Sequence, residues 1–133
     1  MAFADVLEAK GLADGDLLKT VGSGFGGGFA RMREVCGSFS ACTVLAGFIR
    51  PAVTPGMEER KANYALVQEM AAAFRERNGG SIVCGELLGL RERKPEGPVP
   101  SERTEEFYRK RPCPEIIRNA ATVVAEKMKE AAL

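Results

Sequence analysis

Regularly spaced apolar residues constrain this chain to a helical fold more than any other feature of its sequence. In three stretches, Glu58 to Arg77, Pro114 to Leu133 and Phe29 to Phe48, apolar side chains recur at steps of three and four residues. This spacing places them on one face of an α-helix, which buries that face against a neighbour. Asn78-Gly79-Gly80 ends the first stretch and Pro51 ends the third. The pattern predicts three helices, with the one from Phe29 to Phe48 buried at the centre.

Shorter helices and a loop account for the rest of the chain. Two short helices are expected near the start, divided at residues 11–15. Residues 81–89 predict a helix of one to two turns, with a short strand at 81–84 as the alternative. Residues 91–112 carry four prolines and twelve charges, which indicates a solvated loop with one turn around Glu105 to Tyr108.

No stretch alternates apolar and polar residues, so a sheet is not expected. The chain has 133 residues, of which 45% are hydrophobic, and this is the size of one ordinary domain. We therefore expect residues 1–133 to form a single all-α domain. Its predicted architecture is a compact bundle of about four to six helices with a glycine-rich turn and one long, charged, proline-rich loop.

The composition excludes several classes of function. With 19 basic and 18 acidic residues the formal net charge is +1, so no overall field attracts nucleic acid or an anionic membrane. Histidine is absent, which excludes a Ser-His-Asp triad, a Cys-His protease pair and imidazole metal ligands. No apolar run approaches the roughly 20 residues that cross a bilayer, and MAFADVLEAK lacks the pattern of a secretory leader. We expect a cytoplasmic protein with reduced cysteines, no nucleic-acid partner and no membrane insertion.

The segment GSGFGGGFARMREVCG, residues 22–37, holds six of the chain's 15 glycines. Gly22, Gly24 and Gly27 fit the dinucleotide pattern G-x-G-x-x-G, but no strand is predicted before them and no acidic residue stands about twenty positions later. No nucleotide cofactor is therefore expected, and a close approach of helices is the favoured interpretation. The amides of residues 26–29 also predict unpaired donors at a helix start, able to hold an anion or a sulfur. The candidate binding residues are Gly24, Gly26, Gly27 and Gly28.

The four cysteines are Cys36, Cys42, Cys84 and Cys113, and no two of them form a C-x-x-C motif. A shared metal or redox site must therefore be assembled by the fold. Cys36 and Cys42 are expected on different faces of one helix, and the apolar neighbours of Cys42 favour a place in the core. Cys84 and Cys113 are expected at the starts of their helices, where the helix dipole favours a thiolate. A buried structural role is the alternative for both.

These segments resemble a known family. Residues 22–37, SIVCGELLG around Cys84, and Cys113 with PEIIRNAATVVAEKM after it are similar, in order and spacing, to redox-active proteins named for the cysteine pattern C-GCAxxG-C-C. The resemblance spans nearly the whole chain, and it implies a small helical protein of bacteria or archaea. It assigns Cys36, Cys84 and Cys113 to three of the family's cysteine positions.

Two departures from the family pattern narrow what the resemblance implies. CGSFSA stands at residues 36–41, with serine for the expected alanine and alanine for the expected glycine, and no cysteine occurs near Ala2, where the first family cysteine is expected. Cys42 is additional and does not replace it. The resemblance therefore implies a three-thiol site or one dithiol pair rather than four thiolates around one metal.

Two classes of function follow from these observations. In the first, Cys36, Cys84 and Cys113 are the catalytic residues of one site, which exchanges disulfides or electrons with a redox partner protein, or holds a soft metal or an iron–sulfur cluster. In the second, the chain is a non-enzymatic helical binding or assembly module, for example a homo-oligomer, whose cysteines are structural. The sequence leaves open whether the protein is an enzyme.

Overall fold

The structure is a computed structural model that describes residues 2–92 and 94–133. These residues form three long helices and several short ones, and they contain no strand, so the predicted all-α fold is confirmed. In chain order the helical segments are α1 (Ala4–Ala9), α2 (Gly15–Gly22), α3 (Gly26–Phe29), α4 (Gly37–Ile49), α5 (Met57–Arg77), α6 (Cys84–Leu87), α7 (Glu105–Arg109) and α8 (Cys113–Glu130).

The three long helices, α4, α5 and α8, form the frame of the molecule, and each packs against the other two. The apolar spacing predicted α5 and α8 to within a few residues of their observed bounds. Their inward faces and that of α4 form one core, in which Met70 and Phe74 are fully buried. The Phe39 and Phe74 rings pack edge to face, with centroids 5.4 Å apart, an arrangement that stabilises more than the buried area alone.

The prediction of one helix from Phe29 to Phe48 is wrong over its first part, because α4 begins only at Gly37. Phe29, Ala30, Arg31 and Arg33 all have positive φ angles between 49° and 70°, a region that a continuing α-helix does not use. The amides of Arg33 and Glu34 donate instead to the carbonyls of residues 27 and 28. The apolar residues at 32 and 35 therefore share a helical spacing without lying in a helix.

The short elements surround one end of this frame. The predicted pair of N-terminal helices is present as α1 and α2, and the Asp14 carboxylate caps α2 by accepting a hydrogen bond from the Leu17 amide (2.7 Å). The predicted turn around residues 105–108 is α7, capped in the same way by Thr104. None of the helices within the described residues is both long and apolar enough to span a membrane.

An isolated antiparallel bridge joins two distant segments of the chain, with Val35 opposite Val83. The Cys36 amide donates to the Ile82 carbonyl (2.8 Å), and the Cys84 amide donates to the Glu34 carbonyl (2.6 Å). The segment at 81–84 thus combines both alternatives derived from its sequence, since it forms a bridge and then starts α6. This pairing fixes the starts of α4 and α6 beside each other.

Candidate functional site

A single cavity of about 710 Å³ contains all four cysteines in its wall. It lies between the glycine-rich segment, the starts of α4, α6 and α8, and the loop that precedes α7. Its wall is mostly apolar, and volumes of about 300–1,000 Å³ are typical of sites for small organic molecules. The four cysteines, more than 70 residues apart in sequence at their extremes, therefore face one enclosed space.

Three of the cysteines stand where a helix starts. Cys36 is the N-cap residue of α4, Cys84 is the first residue of α6, and Cys113 is the first residue of α8. The predicted positions of Cys84 and Cys113 are confirmed. The position of Cys36 was missed, because its segment was assigned to the middle of a helix, and the glycine and serine after it are the only local signal of a helix start.

The bridge between Val35 and Val83 sets Cys36 and Cys84 on one side of the backbone pairing. Side chains alternate between the two sides of an extended pair, and residues one step beyond the bridge share the side opposite to the bridge valines. Cys36 and Cys84 are such residues, and both line the cavity. Backbone hydrogen bonds between distant segments therefore set these two cysteines on the same side of the pairing, at its two ends.

Two glycines allow the backbone to approach this closely. A Cβ atom on Gly28 would lie 2.6 Å from the Cys84 Cβ and 2.7 Å from the Glu34 amide nitrogen, and Gly28 has a φ of 68°. A Cβ on Gly37 would lie 2.5 Å from the Phe25 carbonyl oxygen. Both separations are shorter than real contacts, so the close approach predicted for the glycine-rich segment is observed.

Arg33 connects Cys84 to the loop before α7. Its side chain is only 4% exposed, its Nη1 lies 3.7 Å from the Cys84 Sγ, and its Nε and Nη2 are paired with the Glu96 carboxylate. Burial alone would lower the pKa of Arg33, but hydrogen bonds with Cys84 and Glu96 raise it above the ordinary value. The guanidinium is therefore a fixed cation that can donate a hydrogen bond to a negatively charged sulfur.

Glu96 also holds the loop to the glycine-rich segment. Its carboxylate accepts a hydrogen bond from Arg31 (3.0 Å), and its amide donates to the Arg31 carbonyl (3.0 Å). Hydrogen bonds from Arg33 and then Arg31 lower the pKa of Glu96. No sequence pattern indicates this role of Glu96, because it lies among the charges of a segment interpreted as a solvated loop.

Cys113 and Cys36 are both half-buried, and their surroundings differ. Burial raises the pKa of Cys113; the charge of Arg111 opposes this effect, and Cys36 and Cys84 add to it. Cys36 and Cys84 are therefore both close enough to Cys113 to affect its pKa. The Cys36 Sγ lies 3.1 Å from the Ser38 Oγ, so this hydroxyl is in range to donate a hydrogen bond to the sulfur.

Cys42 behaves as the core residue that its apolar surroundings predict. It is 1% exposed, its Sγ lies 3.8 Å from the Ala120 carbonyl oxygen across the interface of α4 and α8, and burial raises its pKa to about 12. Such a thiol remains protonated and packs as a small apolar side chain. It shares the cavity wall without sharing the environment of the other three.

The predicted role of Gly24, Gly26, Gly27 and Gly28 as an anion cradle stays a prediction, with one correction. The prediction that the Phe29 amide is free is wrong: it donates to the Phe25 carbonyl (3.3 Å), because Phe29 is the fourth residue of α3 and its amide reaches the carbonyl of the N-cap residue. Gly26, Gly27 and Gly28 do line the cavity.

The described residues contain no group of three or more cysteine, aspartate or glutamate side chains placed to hold one metal ion. The cysteines share a cavity, but their sulfurs do not form a ready ligand set. Disulfide chemistry requires only two sulfurs at a time.

Comparison with known proteins identifies one family. A family model described as "Putative redox-active protein (C_GCAxxG_C_C)" matches residues 1–127. No curated protein and no solved structure matches the chain. Since the family model covers nearly the whole sequence, the chain belongs to the C_GCAxxG_C_C family.

Proposed function

We propose that the protein is a thiol oxidoreductase that uses two of the three residues Cys36, Cys84 and Cys113 at a time to exchange disulfides. The observation that carries the proposal is the common cavity, in which these three helix-start cysteines meet beside a buried guanidinium. Family membership supports a redox role for the cysteines. Of the functions considered from the sequence, disulfide exchange needs only two cysteine sulfurs at a time, and the cavity wall contains these cysteines.

Each of the three cysteines has a different part in this scheme. Cys36 is half-buried at the cavity wall and is the nucleophile, since its sulfur can be reached by a substrate. Cys84 is the resolving residue, since it lies on the same side of the backbone pairing as Cys36 and has Arg33 beside its sulfur. Cys113 lies in the wall of the same cavity, and its raised pKa keeps it a thiol at neutral pH. It is the alternative residue that forms a disulfide with Cys36 when Cys84 is absent.

Disulfide mapping tests the proposal directly. The native protein is treated with a mild thiol oxidant, free thiols are blocked by alkylation, and peptides are identified by mass spectrometry. We expect one intramolecular disulfide between Cys36 and Cys84, reversible with dithiothreitol, while Cys42 stays free. Cys84→Ser should divert oxidation to Cys113 or to a mixed disulfide on Cys36, and Cys42→Ala should leave the disulfide unchanged.

The same experiment contains the outcomes that would reject the proposal. If no intramolecular disulfide forms in the native protein, or if Cys36→Ser leaves the oxidised product unchanged, the thiol-exchange function is wrong. The non-enzymatic module with structural cysteines would then be favoured. A metal retained in native mass spectrometry of freshly purified protein, and lost in Cys84→Ser, would instead favour metal binding.

A further inference from the structure

The cavity that holds the cysteines carries an unbalanced charge. Four arginines line it, Arg31, Arg33, Arg103 and Arg111, and the described residues of its wall include no aspartate or glutamate. Glu96, which lies outside the wall, pairs with the first two, and its one negative charge offsets one of their two positive charges. Within the described parts of the chain, Arg103 and Arg111 have no carboxylate at ion-pair distance. The charges of Arg103 and Arg111 therefore remain available to whatever enters the cavity.

Both of these arginines are placed against features of the wall. The Arg103 Nη2 would lie 3.7 Å from a Cβ on Gly26, so its guanidinium rests against the glycine-rich turn. The Arg111 guanidinium carbon lies 4.5 Å from the centroid of the Phe107 ring, which fixes it through a cation–π contact. Arg111 also acts on the Cys113 thiol by its charge. The cationic groups thus stand near the sulfurs, with apolar surface between them.

The burial of the sulfurs limits what can reach them. Cys84 is only 8% exposed, and Cys36 and Cys113 are half-buried within the cavity wall. The cavity walls hinder the approach of a disulfide on the surface of a folded protein to such sulfurs. A small molecule can do so, because about 710 Å³ is enough space for one of moderate size.

From these observations we infer that the substrate is a small organic disulfide with an apolar body and anionic groups that pair with Arg103 and Arg111. The inference rests on the proposed thiol-exchange function and names its substrate class. The thiolate of Cys36 attacks one sulfur of the substrate, which forms a mixed disulfide and releases the other half as a thiolate. The Cys84 thiolate then attacks the Cys36 sulfur, so the second half also leaves as a thiolate. The substrate gains two electrons, and the cysteine pair loses them.

Two chromogenic disulfides of similar aromatic character provide the test. Dithiobis(nitrobenzoate) carries two carboxylates, and dithiodipyridine is neutral near pH 7. The reduced protein is mixed with each, and the rate of the first thiol release is followed by stopped-flow absorbance. In the double variant Arg103→Gln/Arg111→Gln, we expect the rate with the anionic disulfide to fall about tenfold or more, since a charge-assisted hydrogen bond contributes about 1.5–3 kcal/mol. The rate with the neutral disulfide should change less than twofold.

Two further variants control this measurement. Arg118→Gln removes an exposed arginine of α8 that pairs with Glu115 and does not line the cavity, so it should preserve the rates with both disulfides. Arg103→Lys/Arg111→Lys keeps the charges and should keep most of the preference for the anion. This variant also serves where the glutamine variant fails to fold, because the structural role of the side-chain stems is retained.

The outcomes separate this inference from the function on which it rests. Failure of both disulfides to oxidise Cys36 in the native protein overturns the thiol-exchange proposal itself. Oxidation by both reagents with equal losses in the glutamine variant, or with no loss, overturns the anionic substrate class and leaves thiol exchange standing. An equal loss in Arg118→Gln would show a general effect of net charge and would also overturn it.

Discussion

The molecule joins two regions that are held together in different ways. On one side, α4, α5 and α8 pack through apolar side chains around buried residues such as Phe74. On the other side, the glycine-rich turn and the segments at 33–36 and 82–85 are held by backbone hydrogen bonds and by residues with left-handed φ angles. The first region depends on side-chain volume, and the second depends on backbone conformation. Cys42 belongs to the first region, and the other three cysteines border the second.

The largest effect is expected from a change in the packed region. Phe74→Ala removes a ring that is fully buried and in edge contact with Phe39. Replacement of a buried phenylalanine by alanine typically costs about 3–5 kcal/mol of unfolding free energy. Urea unfolding followed by circular dichroism would measure the loss.

Tyr64→Ala is the matched control on the same helix, since Tyr64 is 59% exposed, and its effect should stay within about 0.5 kcal/mol. In native buffer the order of alkylation among the cysteines should be the same in Phe74→Ala as in the parent. A changed order would show that the two regions are coupled and that their separation is wrong.

The second effect concerns the backbone of the other region. Gly28→Ala places a Cβ 2.6 Å from the Cys84 Cβ at a φ of 68°, so both overpacking and backbone strain oppose it. Together these should cost at least about 2 kcal/mol of unfolding free energy. The substitution should also speed alkylation of Cys84, because the start of α6 is pushed away from the turn.

Gly24→Ala provides the control for this change. Gly24 lies in the same segment, and a Cβ there would meet nothing within 4 Å, so stability and alkylation should remain close to those of the parent. Equal behaviour of the two variants would refute the close approach of Gly28 to Cys84. Each protein can be compared by urea unfolding and timed alkylation with mass spectrometry.

The same division explains how much of the fold the sequence predicts. The helices α5 and α8 follow from apolar spacing within one segment, which is a local property. The start of α4 does not, because Cys36 is positioned by a hydrogen bond to Ile82, more than 40 residues away. Nothing near residue 33 indicates that Arg33 leaves the helical conformation to pair with Glu96. Long-range backbone pairing therefore limits prediction where side-chain periodicity does not.

The candidate site can be predicted from the sequence only in part, for the same reason. The thiols were identifiable from residue type and from helix-start signals such as Pro114 after Cys113. Arg103 and Glu96 were not, because a segment rich in proline and charge has no periodicity from which a buried or cavity-lining face can be derived. Only the tertiary structure brings these side chains to the cysteines.

The dependence of stability on pH separates Cys42 from the cavity thiols, with an effect per pH unit smaller than those above. Burial raises the pKa of Cys42 from 9.0 to about 12, so above pH 9 the folded protein retains a proton that the unfolded chain loses. Stability therefore declines as pH rises from about 9 towards 12, by about 1.4 kcal/mol per pH unit from this group. Urea unfolding of the parent and of Cys42→Ala at several pH values from 8 upward would isolate this slope, because other groups titrate alike in both. Parallel curves would contradict the buried, protonated state of Cys42.

The smallest effect is expected from the contacts of Glu96 with Arg31 and Arg33, which hold the loop before α7 to the glycine-rich turn. Hydrogen bonds from Arg33 and Arg31 lower the pKa of Glu96 below its ordinary value of 4.5, so its stabilisation is complete above that pH and is lost as pH falls through the lowered pKa. Glu96→Gln should therefore destabilise the protein at pH 7 and by less at pH 3. The loss at pH 7 should be at most about 1 kcal/mol, because the Glu96 side chain is 40% exposed and solvent screens its charge.

A control from the same loop distinguishes the contacts of Glu96 from a general effect of charge. Among the described residues Glu92 pairs with Lys94, through side chains that are 67% and 79% exposed, so Glu92→Gln should leave stability unchanged at both pH values. If both substitutions act alike, the contacts of Glu96 with Arg31 and Arg33 do not stabilise the fold. If Glu96→Gln alone destabilises at pH 7 and also speeds alkylation of Cys84, the loop is fixed through Arg33 to the cysteine cavity. In that case the second region depends on one long-range ion pair as well as on its backbone hydrogen bonds.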